Sequence, residues 1–558
     1  MNRSYLFLCL VLLAFVGGEN IYLPLSPTET SALMGFLALG FLFLNLAHRQ
    51  RAASQRARLT GPTACLLLVL TWSALGYFYT VDLDLSFYAT VKSVAAMAFA
   101  LGLLLYLKNE EQVTEIFWVL VVCAAIHALF GVVGQYPPIQ SALHGYLKGL
   151  FTQTPPTGPR LWEASISTFF NANYFSGYLL LNLPISIYLF RRHRGGTPRV
   201  VAACLLALLL LGLAFSGSPG GQVVALLQLA VATGYALGTH KLKTRAVRGA
   251  LCAGLVLGLL AAGLFVKERM DEAQQVPSAV NIHEVAWNWD NMINRFLYWQ
   301  GAWEIFKRYP VTGSGPLTFI AVYPQAMAQT EPVARPRYIQ KRPPHAHSLY
   351  AQTLSDSGLI GFALLAALLA VLFKRLANQP NHPHRPAVFY LSLAAAGFIV
   401  HNLIEYNWLV SIFIYYIALL VVLIDFLSRE ADGGWSLAGR AAMAAVAGFS
   451  ILGAAAVADF YFYDRSTHRQ IATARTLEDV ASHAERAKSL CGRCALPRLI
   501  LARTFLEGYR QTHKQILLTE AERELHAAAR LAPYNPEPSI RLKQIRQLRR
   551  QELAKPPK

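Results

Sequence analysis

Charge is scarce in this chain. Of 558 residues only 15% are Asp, Glu, Lys or Arg, while 54% are hydrophobic, and the mean hydropathy is +0.37. Ordinary soluble domains carry about a quarter charged residues, so that class is excluded. Acids are scarcer than bases, 31 against 50, yet no nucleic-acid motif accompanies the excess and no nucleic-acid partner is expected. Cysteine is also rare, seven in all. Cys9, Cys65, Cys123, Cys204 and Cys252 fall in apolar runs and read as core residues. Cys491 and Cys494 form a lone CxxC, either a local disulfide or half of a metal site whose other two ligands are missing. No other cluster has metal-ligand spacing, so no metal and no cofactor are expected.

Long apolar runs are abundant. A helix needs about 20 apolar residues to cross a bilayer core of ~30 Å. Thirteen such runs occur, roughly 4–18, 31–47, 63–79, 87–107, 115–135, 173–190, 199–215, 220–238, 249–266, 348–373, 387–404, 409–427 and 440–458. The first is short and signal-like, but no small-residue cleavage site follows it, and it reads as a helix of the mature chain. The expected fold is all-α: a polytopic integral membrane protein with about 12–13 transmembrane helices in residues 1–458. A large loop, 267–347, lies within that domain, and a helical tail, 459–558, follows it.

Lysine and arginine give the orientation. Arg3 and the clusters Arg49/Arg51/Arg56/Arg58, Arg191/Arg192/Arg194, Lys241/Lys243/Arg245/Arg248 and Lys374/Arg375/Arg385 fall on one side by helix count. That side is expected to be cytoplasmic. The loops 136–172 and 267–347, the turn near 402–408 and the tail then lie outside. The tail holds 19 Lys/Arg against 11 Asp/Glu, a balance that suits membrane lipid or phosphate-bearing partners. Its segment Ala532-Pro533-Tyr534-Asn535-Pro536 resembles the end of a tetratricopeptide repeat. Two degenerate repeats able to hold envelope proteins, or a plain helical hairpin, fit equally.

The polar chemistry collects on the outer side. Arg295, Trp299 and Trp303 belong to an amphipathic helix at the interface, with Arg335, Arg337, Lys341 and Arg342 in a basic run beyond it. His345 and His347 stand before the tenth apolar run, where they either cap a helix or do chemistry. Glu405 is either solvated or paired with His401, four residues earlier on a helix. Asn173 either caps the helix that it opens or binds a polar ligand. Lys92 either snorkels to the outer interface or faces an anionic substrate. His127 reads as a packed core histidine. The turn Ser216-Gly217-Ser218-Pro219-Gly220-Gly221-Gln222 is either a tight connection or an anion cradle.

Three segments, in this order, resemble the O-antigen ligase/O-antigen polymerase superfamily of bacterial envelope glycosyltransferases. They are Thr168-Phe169-Phe170-Asn171-Ala172-Asn173-Tyr174; Arg295…Trp299…Ala302 with Pro310…Gly313-Ser314-Gly315…Phe319; and His345-Ala346-His347-Ser348-Leu349-Tyr350…Gly358-Leu359-Ile360-Gly361. Ser348 replaces a usual Asn, and Ser218-Pro219-Gly220 replaces a Ser-Arg-Gly, so one basic residue is missing. The resemblance spans about residues 1–430.

It implies a metal-independent transferase that moves a glycan from undecaprenyl diphosphate to an acceptor hydroxyl. The reaction would take place at the periplasmic face of the bacterial inner membrane. The acceptor is a lipid A–core sugar (favoured), another glycan repeat, or a protein Ser/Thr. His347 matches the motif position and would be the general base, while His345 would either orient it or bind the acceptor. Arg295 would neutralise the leaving diphosphate. Arg160, Asn173, Lys92, Arg335, Arg337 and Glu405 are expected at the substrate. A lipid-linked sugar transporter would instead show internal repeats and mid-membrane charges, and none is evident. A scaffold without catalysis is the other non-enzyme reading.

Overall fold

The computed structural model describes residues 2–16, 27–51, 58–133, 169, 171–239, 289–328, 343–377, 384–428, 435–436 and 440–553. Apolar runs become helices because a chain in lipid must satisfy its backbone groups internally. These helices are α1 (Asn2–Val16), α2 (Pro27–Arg51), α3 (Gly61–Tyr79), α4 (Leu83–Tyr106), α5 (Glu110–Val133), α6 (Ala172–Arg192), α7 (Gly196–Phe215), α8 (Pro219–Thr239), α11 (Leu349–Ala377), α12 (Arg385–His401), α13 (Ser411–Leu427) and α14 (Arg440–Asp464). Two helices from the large loop, α9 (Trp289–Arg308) and α10 (Phe319–Ala328), lie between α8 and α11. The only sheet among the described residues is a two-residue pairing of β1 (Arg58–Leu59) with β2 (Trp435–Ser436).

The protein is thus an all-helical polytopic membrane protein. Eight described helices are long and apolar enough to cross a bilayer, and α1, α12 and α13 are shorter apolar helices. The twelfth expected span that is described, α6, is more polar and lies at the centre, with α5, α7, α8 and α12 around it. The expected span 249–266 lies outside the described residues, as do Arg160, Arg335 and Arg337.

Small residues and buried hydrogen bonds join the bundle, since lipid offers helices no hydrophobic drive to associate. Tyr416 donates to Asn182 Oδ1 at 2.6 Å, and Gln228 Nε2 reaches the carbonyls of Leu180 and Leu393, both at 3.1 Å. Thr63 donates to Asp425 at 2.5 Å, with Thr60 bonded to the same carboxylate. His127 is buried, Nε2 3.1 Å from the Ala14 carbonyl, as a core histidine should be.

α11 is broken at Gly358, whose φ of 61° and ψ of −161° are not helical. The turn after α9 runs beside the break and takes up its freed groups. Leu359 and Ile360 donate to Pro310 and Val311, while Ser314 and Gly315 donate to Ser355 and Asp356, at 2.9–3.2 Å. Glycine is obligatory at two contacts: a Cβ on Gly313 would sit 2.2 Å from the Asp356 carbonyl carbon, and one on Gly358 2.4 Å from Val311 O. Two distant sequence segments therefore fold as one motif.

α14 continues through a π-helical turn, Arg465–Arg469, to Thr473. The tail follows as α15 (Leu477–Leu490), α16 (Leu496–Thr512), α17 (Gln515–Leu531) and α18 (Glu537–Leu553), each packed on the next. Cys491 and Cys494 are disulfide-bonded. The tail sits against the first turn of α4: Ala495 and Leu496 donate to Asp84 Oδ2 at 2.8 and 3.1 Å.

Candidate active site

The site forms where the N-terminal ends of α6 and α11 meet the turn 402–407. The basic pairs Arg191–Arg192 and Lys374–Arg375 occupy the last turns of these two helices, at their far ends. Leu349, the first residue of α11, donates to the carbonyls of both Asn402 (2.9 Å) and Glu405 (3.1 Å). That bond seats the turn and carries the Glu405 side chain up to His347.

Glu405 is the hub. Its side chain is 1% exposed. Oε1 lies 2.9 Å from His347 Nδ1, and Oε2 accepts from Asn173 Nδ2 at 2.5 Å and faces Arg295 at 3.5 Å. Burial by itself would raise this carboxyl, but the His347 hydrogen bond and the Arg295 guanidinium beside it hold it below the usual carboxylate range. A buried carboxylate with three such partners stays ionised. The sequence offered His401 as its partner. Instead His401 Nδ1 meets Asn407 Nδ2 at 3.1 Å, because the helix ends at His401 and the i, i+4 register is lost.

His347 has a left-handed backbone, φ 49°. This turns its ring toward Glu405 and stacks it on Tyr298, ring centroids 5.6 Å apart. The bond to Glu405 fixes the tautomer with the proton on Nδ1, so Nε2 is left as the basic nitrogen. A quarter of the side chain is exposed, enough for a hydroxyl to approach. His345 differs. It is buried, its Nδ1 accepts the His347 N–H at 3.2 Å, and its Nε2 lies 3.5 Å from the Tyr174 hydroxyl. Burial, then the neighbouring His347, pushes it down to about 3, so it is neutral and supports the turn.

Arg295 is delivered by α9. One face of that helix buries Tyr298, Ala302 and Ile305 against Phe319, Val322 and Tyr323 of α10. Arg295, one turn ahead of Tyr298, is therefore carried to Glu405 with its side chain 19% exposed. Asn173 does not cap α6; Asn171 does, accepting the Asn173 N–H at 2.7 Å. The Asn173 carboxamide instead joins Glu405 to Ser218, whose hydroxyl donates to Asn173 Oδ1 at 2.6 Å. Ser218 also accepts the Gly221 N–H at 3.2 Å, so the glycine turn before α8 opens that helix and braces the site.

Lys92 stands apart from this group. It is 4% exposed and lines a cavity of about 80 Å³ beside Asp356 and Tyr406, its ammonium 4.8 Å from the Tyr88 ring centre. The snorkelling reading is thus overturned: the side chain turns inward among α3, α4 and α11 instead of toward the interface.

The donor atoms of His345, His347 and Glu405 all lie within 4.8 Å of one another, the number and type that can hold a cation. The fit is poor. Arg295 faces the carboxylate, the His345 Nδ1 lone pair is taken by a backbone N–H, and a metal would have to displace both. The trio is better suited to moving a proton: a carboxylate orients a partly exposed histidine through Nδ1 and leaves Nε2 for the proton, next to a guanidinium able to meet a phosphate. Sequence reasoning did not single out Tyr298, Gln352 or Asp356, although the i, i+4 spacing of the last two on α11 places them on one face.

Residues 204–366, from within α7 to just past the break in α11, match the family model described as O-antigen ligase. No curated protein matches the chain. The match covers less than a third of the chain and makes that stretch similar to the O-antigen ligase family.

Proposed function

We propose that this chain, whose residues 204–366 match the O-antigen ligase family model, transfers a glycan from undecaprenyl diphosphate to an acceptor hydroxyl at the periplasmic face of the bacterial inner membrane. The observation that carries the proposal is Glu405, which holds His347 with Nε2 free and Arg295 alongside. In the reaction the acceptor oxygen forms a bond to the anomeric carbon as the bond from that carbon to the diphosphate breaks. His347 Nε2 takes the acceptor proton, and Glu405 stabilises the imidazolium that results. The diphosphate leaves with the electron pair, its growing charge met by Arg295. Arg160, Arg335 and Arg337 are proposed to share that role in place of the arginine missing before Gly220, and the buried Lys92 to raise the local positive potential.

The acceptor we infer is a lipid A–core sugar. A large acceptor needs a landing surface, and the tail, bonded through Tyr534 to Tyr309 just after α9 at 2.5 Å, is proposed to supply one. The test is an in vitro transfer assay with purified wild type, His347→Ala and Arg295→Ala. Each receives undecaprenyl-diphosphate glycan, chelator, and lipid A–core, free glycan repeats or a candidate protein in separate tubes. We expect product with lipid A–core, and a fall of about 10²–10⁴ in kcat for His347→Ala. Product with another acceptor would make the chain a polymerase or a protein O-oligosaccharyltransferase. Full activity of His347→Ala would refute the base assignment, and no product in any tube would favour a transporter or scaffold.

A further inference from the structure

We propose that Asp356, acting through Gln352, is the positioning residue that sets the catalytic turn. The inference deepens the proposed function and rests on its reading of His347 as the base.

Asp356 lies in the last turn of α11 before the break and is 4% exposed. Its Oδ2 accepts two hydrogen bonds of 2.8 Å, from Leu317 N and from Gln352 Nε2. Gln352 is 1% exposed, and its Oε1 accepts the Ala346 N–H at 2.6 Å. Ala346 is the residue between His345 and His347. One carboxylate oxygen therefore reaches two turns, 313–318 directly and 345–347 through a single carboxamide.

Both turns need holding. Among the described residues only three other than glycine have a positive φ, and two of them are Leu317 (63°) and His347 (49°). A left-handed backbone at a residue with a Cβ persists only where its surroundings impose it. Here the imposing group is shared: Leu317 N–H is bound by Asp356 itself, and the N–H of Ala346, one residue before His347, by Gln352. The Asp356 backbone carbonyl adds a third tie, to Gly315 N at 3.0 Å. His347 is thereby held in the conformation that points its ring at Glu405.

The second carboxylate oxygen makes the proposal testable. Asp356 Oδ1 has no hydrogen-bond partner among the described residues, and Asp356 lines the cavity that Lys92 also lines. An asparagine can place its NH2 in that space and still offer one oxygen to Leu317 and Gln352. Asp356→Asn thus removes the charge and keeps the positioning. Asp356→Leu has similar size and removes both, and Gln352→Met cuts only the link to the histidine turn.

The experiment uses the full-length protein in nanodiscs and reads two quantities: the carbethoxylation rate of His347 by diethyl pyrocarbonate, followed by mass spectrometry, and the kcat and KM of transfer. The first needs no activity, so it decides the inference even if the transferase reading fails. We expect Gln352→Met and Asp356→Leu to change the His347 labelling rate by about fivefold or more. Their kcat should fall by on the order of 10²-fold with KM little changed, since ~1 Å of misplacement costs that much. Asp356→Asn should stay within about threefold of wild type on both. If Asp356→Leu fails to fold, Gln352→Met carries the test alone. His347 labelling unchanged in Gln352→Met would overturn the proposal, and so would Asp356→Asn labelling as abnormally as Asp356→Leu.

Discussion

At the residue scale, His345 shows how burial selects a role. Two histidines sit two positions apart, and their environments separate them: one opens to the surface beside a carboxylate, while the other is enclosed and its Nδ1 tied to backbone. His345 is held at about 3, below the ordinary ~6.5, so the folded chain binds fewer protons there than the unfolded one. Its contribution to stability is complete above about pH 6.5 and is lost progressively as the pH falls toward about 3. We expect the melting temperature of wild type to drop between pH 7 and pH 5 more steeply than that of His345→Gln, which has no such proton to take up. Parallel curves would show that His345 is not buried neutral. Which histidine would be enclosed could not be read from the sequence, because the enclosing groups, Tyr174 and Tyr406, come from other elements.

At the scale of the element, the instructive feature is the break in α11. The apolar run 348–373 makes a helix there legible, and the glycines at 358 and 361 mark the segment as unusual. The break itself is a tertiary event, since it depends on the 310–315 turn arriving to take the hydrogen bonds. Gly358→Ala should destabilise the protein by about 2–4 kcal/mol and abolish transfer, because φ is positive there and the new Cβ would overlap backbone. Gly448→Ala in α14, where a Cβ meets nothing within 4 Å, is the control and should be neutral. Thermal unfolding of both variants decides the matter, and a wild-type melt for Gly358→Ala would sink this account. Apolar length also made most of the bundle legible, since lipid leaves a long apolar run no alternative to helix. What it hid was the inward turn of Lys92 and the bridging of Asn173, both of which depend on neighbours far away in sequence.

At the scale of the molecule, the tail and the membrane bundle share a seam. Asp84 binds two N–H groups at the start of α16 and the Tyr463 hydroxyl, and the Arg493 guanidinium lies 3.4 Å from the carbonyls of Tyr77 and Phe78 at the end of α3. From the same seam Val81 donates to Ser314 at 2.9 Å, so the docking surface is continuous with the turn below the site. Hydrogen bonds to a charged group are each worth about 1.5–3 kcal/mol. Asp84→Ala should therefore raise amide hydrogen exchange in 477–553 at least about tenfold and lower transfer severalfold. Unchanged protection of the tail would show that it is held elsewhere. The basic excess of the tail, which by composition suits anionic partners, is partly spent inside it: Lys488 and Arg498 both pair with Glu524, and Arg503 and Arg541 with Glu537.

The disulfide between Cys491 and Cys494 closes the loop that carries Arg493 and leads directly into the two N–H groups gripping Asp84. Such a bond forms only where thiols are oxidised, and both cysteines are buried once it has formed. Reducing this one pair would open the loop at the seam, so the docking of α16 on the bundle is tied to the redox state around it.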